Sequence, residues 1–383
     1  MRLAAGVGVV LVVATMSAML INAEAIEHDD AVAISIGARR IDAANSSSVI
    51  ELLPGLNELD TRDSLNALVA ASVEDNQQLS NVAFVKTHKT GSQTVAALFE
   101  RYGKRHRLKV AHYAEMNPPL RFADTADEIV QTAGGGVDIM HYHMGPWSFK
   151  LGTTWAEAET TYRRIMRDPD NINFVALFRD PREHLISYYY YFMEHQTEKN
   201  IVEFLHVDNA NHPHVSRLRN TLSGEMGLTS LEQVEDFVAN VLPRFKMVLL
   251  TEKLNPGLMV LRRLMGWHFI DMTYIILNET KTPASTWTSK NGVEMHRPHY
   301  KHLPTHIQTK IDELTAIDAV LYEGGKAAFE KTLEPVADLV EKDLVIFHQL
   351  QAAVYRYVLA TRPNMYTLSG LYHTPLPDGG VPF

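Results

Sequence analysis

Hydrophobic positions fall into short uninterrupted runs, each followed by a polar turn and then by apolar residues at helical spacing. Val82-Ala83-Phe84-Val85 has the length and uniformity of a buried parallel strand. The polar turn Lys86 to Gly91 follows it, and Val95, Ala96, Leu98 and Phe99 then mark one face of a helix. The pattern repeats at Phe174-Val175-Ala176-Leu177-Phe178, which runs into Arg179-Asp180-Pro181 and a second helix. It repeats again at Met247-Val248-Leu249-Leu250, which leads through Thr251-Glu252 to a helix near Leu258 to Met265. Strands alternating with helices predict an α/β fold, a parallel sheet flanked by helices, with ligands bound beyond the carboxyl ends of the strands. From residue 302 onward the spacing of Leu314, Ile317, Leu321, Leu339, Val345 and Leu350 predicts a helical C-terminal part. No internal repeat or low-complexity tract interrupts this order.

One apolar run differs from the others. Leu3 to Ala23 carries no charge and has about the 20 residues needed to cross a bilayer. Arg2 precedes it, and Glu24, Glu27, Asp29 and Asp30 follow. The positive-inside tendency then leaves residues 1–2 in the cytosol and the bulk of the chain in the lumen, a single-pass type II signal anchor. A cleaved signal peptide is the alternative, because Ala23-Glu24-Ala25 offers small residues at the required spacing. Asn45-Ser46-Ser47 and Asn278-Glu279-Thr280 are glycosylation sequons compatible with a lumenal location. Residues 24–78 are polar and read as a short stem, residues 79–362 as the catalytic domain, and residues 363–383 as a tail.

Charge narrows the function. The 383 residues hold 36 Lys and Arg against 45 Asp and Glu. A general grip on nucleic acid is therefore excluded, and anionic ligands must be held locally. Cysteine is absent, which removes disulfides, thiolate metal sites and thiol catalysis. The chain has 18 His, yet no H-E-x-x-H or comparable ligand spacing appears, so no metal is expected.

The turn after the first strand, Lys86-Thr87-His88-Lys89-Thr90-Gly91-Ser92-Gln93-Thr94, sets cations, hydroxyls and one glycine between a strand end and a helix start. Gly91 lets the backbone approach an anion, the first-turn N–H groups point at it, and Lys89 adds positive charge. Hydroxyls of Thr90, Ser92 and Thr94 are expected to donate further hydrogen bonds. An ordinary polar turn with a Ser cap is the alternative. A nucleotide-kinase loop needs Lys after the last Gly, whereas Lys89 precedes Gly91. Arg179 stands at the end of the second strand, with Ser187 eight residues on. Asp180, Pro181 and Glu183 have capping-box spacing for the helix between them. The run Tyr188 to Phe192 covers all sides of that helix and reads mainly as core, with stacking on a nucleobase as the alternative. His141-Tyr142-His143 alternates like a strand. We expect its two imidazoles on opposite sides, one facing the site, with His143 as general base and His88 as the alternative.

These segments resemble the galactose-3-O-sulfotransferase family, which includes galactosylceramide sulfotransferase. Phe84–Thr94 with Arg105-His106, Asp138–Met144, Phe174–Phe192, Arg219–Gly227, Met247–Glu252 with Leu261–Trp267, and Leu314–Tyr322 occur in the family's order. The resemblance implies a P-loop-like sulfotransferase fold and 3′-phosphoadenosine 5′-phosphosulfate (PAPS) as co-substrate. Lys86, Lys89, Thr90, Gly91, Ser92, Gln93 and Thr94 would hold the 5′-phosphosulfate, and Arg179 with Ser187 the 3′-phosphate. His143, Lys89 and His88 would be the catalytic candidates. The acceptor would be a sugar hydroxyl, the 3-hydroxyl of a galactose on a glycolipid or glycan, and the location the Golgi membrane. Gly145-Pro146 departs from the family's Arg-Phe after His-Met, and the family's cysteines are missing. Both departures bear on the acceptor rather than the donor. A P-loop-type kinase and a non-catalytic lumenal carbohydrate-binding protein are the rival functions.

Overall fold

The computed structural model describes residues 79–112, 122–143, 153–197, 199–206, 213–274, 286–288 and 294–361. The chain divides into two units, Met1–Ala70 and Ala71–Phe383, and all of these residues belong to the second. The apolar run Leu3–Ala23, both sequons, the stem and the tail lie outside the described residues. Among the described residues no helix is long and apolar enough to cross a membrane.

Five parallel strands form the central sheet: β1 (Val82–Lys86), β2 (Val110–His112), β3 (Ile139–His143), β4 (Asn173–Phe178) and β5 (Met247–Leu250), in the order β2-β3-β1-β4-β5. The chain leaves β1 toward β2 on one side and later leaves β4 toward β5 on the other. The crevice beyond the carboxyl ends of β1 and β4 is therefore the switch point where such sheets bind ligands. Val82 to Val85 and Val175 to Phe178 are wholly buried, as uniformly apolar strands covered on both faces require.

Helices α1 (Ser92–Arg105), α2 (Ala126–Thr132), α3 (Trp155–Ile165), α4 (Pro181–Phe192), α5 (Thr221–Glu225) and α6 (Leu254–Met265) belong to or follow the crossovers. The helical C-terminal part consists of α7 (Thr305–Leu314), α8 (Ala316–Leu333) and α9 (Ala337–Thr361). A small antiparallel hairpin, β6 (Thr286–Thr288) with β7 (Glu294–His296), precedes them. Gly325 brings α8 close to the sheet, since a Cβ there would lie 2.4 Å from the Phe178 ring. On the far side of α6, Asp343 of α9 binds Arg262 Nη2 at 2.8 Å and Arg263 Nε at 2.6 Å.

Tyr188, Tyr189, Tyr190 and Phe192 of α4 are buried in a cluster that includes Leu303, Ile307 and Ile311, so the aromatic run is core on most of its sides. The expected capping box at α4 forms only in half. Asp180 accepts from Arg182 and Glu183 N–H at 3.0 and 3.2 Å. The Asp180 N–H, however, donates to Glu252 at 2.8 Å, and Glu183 instead accepts from Tyr300 N–H at 2.9 Å. The two carboxylates thus tie α4 to β5 and to the segment before α7.

Candidate functional site

The turn after β1 is held from within. Thr90 Oγ1 donates to Thr87 O at 3.0 Å, and Ser92 Oγ donates to the same carbonyl at 2.6 Å. Each hydroxyl has one hydrogen to give. This corrects the expectation that Thr90 and Ser92 donate to an anion: their hydrogens shape the loop, and the N–H groups of the first turn of α1 are its anion-facing donors. Gly91 caps α1 at φ 84°, ψ 13°, a left-handed conformation that favours glycine. Lys86 Nζ donates to Gln93 Oε1 at 2.9 Å, which locks the strand end to the helix start. Thr94 N–H donates to Gly91 O at 3.0 Å, closing the first turn. Thr251, after β5, sits within hydrogen-bonding distance of both Thr90 O (2.6 Å) and Phe178 O (3.0 Å). The loops after three strands are thereby held in one register.

Three cations meet there. Arg179 Nη1 donates to Lys89 O at 2.9 Å, so the two motifs expected from sequence are joined by a direct bond. Lys89 Nζ lies 3.6 Å from the centre of the Tyr191 ring, a cation–π contact. Burial, with help from the charges of Arg297 and Arg179, pulls the Lys89 amine down to about 7. Burial and then Arg179 likewise pull Arg297 down to about 10. Arg297, just after β7, also reaches toward Glu183 O at 3.5 Å. Buried like charges repel and are unfavourable unless an anion joins them. The group therefore fits a ligand with several negative charges. Ser187 is buried on α4, and no hydrogen bond between it and Arg179 is present among the described residues.

Beside the cations stands a histidine cluster. His88 N–H donates to Glu225 Oε2 at 2.6 Å, and its Nδ1 lies 2.8 Å from Glu225 Oε1. A carboxylate can only accept, so Nδ1 carries the proton and exchange with a ligand falls to Nε2. The His143 ring stacks on His88 with centroids 3.6 Å apart and planes 9° from parallel. Desolvation, then the charges of His88, Lys86 and His141, hold His143 well below the usual imidazole range. The expectation that His141 and His143 point to opposite sides is corrected. Residues two apart in a strand share a face. His143 is the last rung beside Lys86, and His141 lies one rung further in beside Phe84, with its Nε2 3.0 Å from Glu100 of α1. Tyr142 between them stacks on Phe122, on the other face of the sheet. His88, His143 and Glu225 place three ligand atoms within 4.8 Å of one another. Parallel stacked imidazoles direct their lone pairs side by side rather than toward one point, so this geometry does not suit a single metal ion.

A family model, galactose-3-O-sulfotransferase, matches residues 44–292. The chain belongs to the galactose-3-O-sulfotransferase family. It is 28% identical over 226 residues to galactosylceramide sulfotransferase of Homo sapiens, covering 54% of this chain and 50% of that protein. It is also 26% identical over 265 residues to galactose-3-O-sulfotransferase 2 of Sus scrofa, covering 64% and 63%. The chain thus spans about half the length of the human relative. The family match takes in Lys89, Arg179, His88, His143 and Glu225 but stops short of Arg297 and Asp318, which complete the site in space. Sequence reading missed Glu225 and Arg297. Glu225 lay within a family-like stretch but 137 residues from its partner His88, and Arg297 belongs to no recurring spacing.

Proposed function

We propose that the protein transfers the sulfuryl group of PAPS to the 3-hydroxyl of a galactose on a glycolipid or glycan. The observation that carries this reading is the meeting of Lys89, Arg179 and Arg297 at the switch point, next to a carboxylate-oriented histidine. Bound PAPS supplies an activated sulfuryl group and two phosphorylated positions. Lys89 and the first-turn N–H groups of α1 neutralise charge at the 5′ end, as donors fixed in advance of reaction do. Arg179 holds the 3′-phosphate, and Ser187 on the same helix is assigned with it from the family. His88 Nε2 accepts the acceptor proton while Glu225 stabilises the imidazolium that results. His143, less basic and stacked on His88, fits an assisting position better than that of the base.

The rival kinase reading is tested with the same protein. Calorimetry should show 3′,5′-bisphosphoadenosine binding much more tightly than ADP or ATP, without magnesium. Equal affinities would overturn the donor assignment. Saturated turnover should fall by about a hundredfold or more in His88→Ala, the scale of lost general-base catalysis. A smaller loss is expected in His143→Ala; the opposite ranking would return the role to His143. For the chain as a whole we infer a Golgi location with Leu3–Ala23 as a signal anchor, supported by the charge asymmetry around that run. Mass spectrometry of the mature N-terminus checks it, since a chain starting near Glu24 would mean cleavage.

A further inference from the structure

We infer that Asp318 of α8 is a positioning residue for the reaction, holding α5 so that Glu225 can fix the His88 ring. The inference rests on the reading of His88 as proton acceptor. Asp318 is fully buried, and its carboxylate accepts from the N–H groups of Leu222 at 3.0 Å and Ser223 at 2.7 Å. Those donors belong to the first turn of α5, which the neighbouring Asn220 leaves uncapped. Asn220 sits at φ 48°, and its Oδ1 accepts from Ile317 N–H at 3.1 Å while its own N–H donates to Leu314 O at 2.8 Å. Each segment therefore caps the other across roughly a hundred residues of chain.

A five-residue helix has no stability of its own in water, so its orientation is whatever its partners impose. The consequence reaches His88 at both ends of its backbone. Glu225, at the end of α5, takes the His88 N–H and Nδ1. Thr221, at its start, lies 3.2 Å from His184 Nδ1, and His184 Nε2 is 2.8 Å from His88 O. Burial pulls His184 down to about 4, so it meets both partners as a neutral ring. A shift of α5 would thus move the carboxylate and the loop carbonyl together. A buried carboxylate is costly unless its hydrogen bonds are complete. Here it spans two successive N–H groups, which fixes the direction of α5 more tightly than one acceptor could.

The test uses Asp318→Asn, which removes one acceptor, and Asn220→Gly, which keeps the left-handed backbone but loses the side-chain bond. Glu225→Gln serves as reference, and melting temperature is recorded for each. Turnover at saturation, affinity for 3′,5′-bisphosphoadenosine and the NMR titration of the His88 ring, assigned with His88→Gln, are measured on folded protein. We expect turnover to fall by about tenfold with nucleotide affinity unchanged, a loss confined to the reacting state. The His88 titration should move toward its value in Glu225→Gln. Parent-like turnover and titration in both variants would overturn the proposal, as would a lowered melting temperature with no change at His88. If Asp318→Asn does not fold, Asn220→Gly decides alone. Full turnover in His88→Gln alongside a displaced His88 titration would instead overturn the choice of base and leave the positioning intact.

Discussion

At the scale of single residues the site is governed by unrelieved positive charge. Lys89, pulled down to about 7, is only partly protonated near neutrality, and an anionic ligand favours its charged form. Above pH 7 the free protein therefore has to take up a proton in order to bind, and affinity for 3′,5′-bisphosphoadenosine should fall as pH rises. Calorimetry at pH 8 in buffers of different ionisation enthalpy should reveal this uptake, and it should vanish in Lys89→Met. Removing Arg297 withdraws one charge-assisted partner from the ligand, so Arg297→Ala should weaken nucleotide binding by about 1.5–3 kcal/mol. It should also raise the Lys89 pKa in the free protein, because one repulsive neighbour is gone. Binding equal to the parent's would remove Arg297 from the site.

At the scale of elements, the sequence announces the strands that are buried on both faces. β1, β4 and β5 were legible because four or more consecutive apolar residues have few other homes. β2, three residues long, offered no such run. The α4 cap was legible in Asp180 and Pro181, but the destination of the Asp180 N–H was not, since Glu252 approaches only after β5 has docked beside β4. The same holds for Glu225 and His88: each is ordinary in its own segment, and the dyad exists only in the packed molecule. The anion loop was legible as a loop, while the inward turn of Thr90 and Ser92 depended on where the Thr87 carbonyl pointed. Away from the site, Asp343 is the buried acceptor for two guanidinium groups of α6. Asp343→Ala should cost about 3–5 kcal/mol by leaving those charges without their carboxylate. Thermal denaturation checks this, and nucleotide affinity of the folded variant should stay at the parent value, because Asp343 has no contact with the loops after β1 and β4.

At the scale of the whole molecule, a net charge of −9 coexists with a pocket of three cations. Such a surface favours one anchored anion over a polyanion, in keeping with a nucleotide donor. Family membership and the switch-point geometry point to the same donor, whereas the acceptor depends on the segment that begins at Gly145-Pro146, outside the described residues. The most direct measurement is transfer of radiolabelled sulfate from PAPS to a panel of β-galactosides, lactosides and galactosylceramide, with the product's linkage determined. The account predicts label on the 3-hydroxyl of galactose, dependent on Lys89, Arg179 and His88 and independent of added metal. Phosphoryl transfer from ATP, or no transfer of label to any sugar by protein that binds the nucleotide, would contradict it.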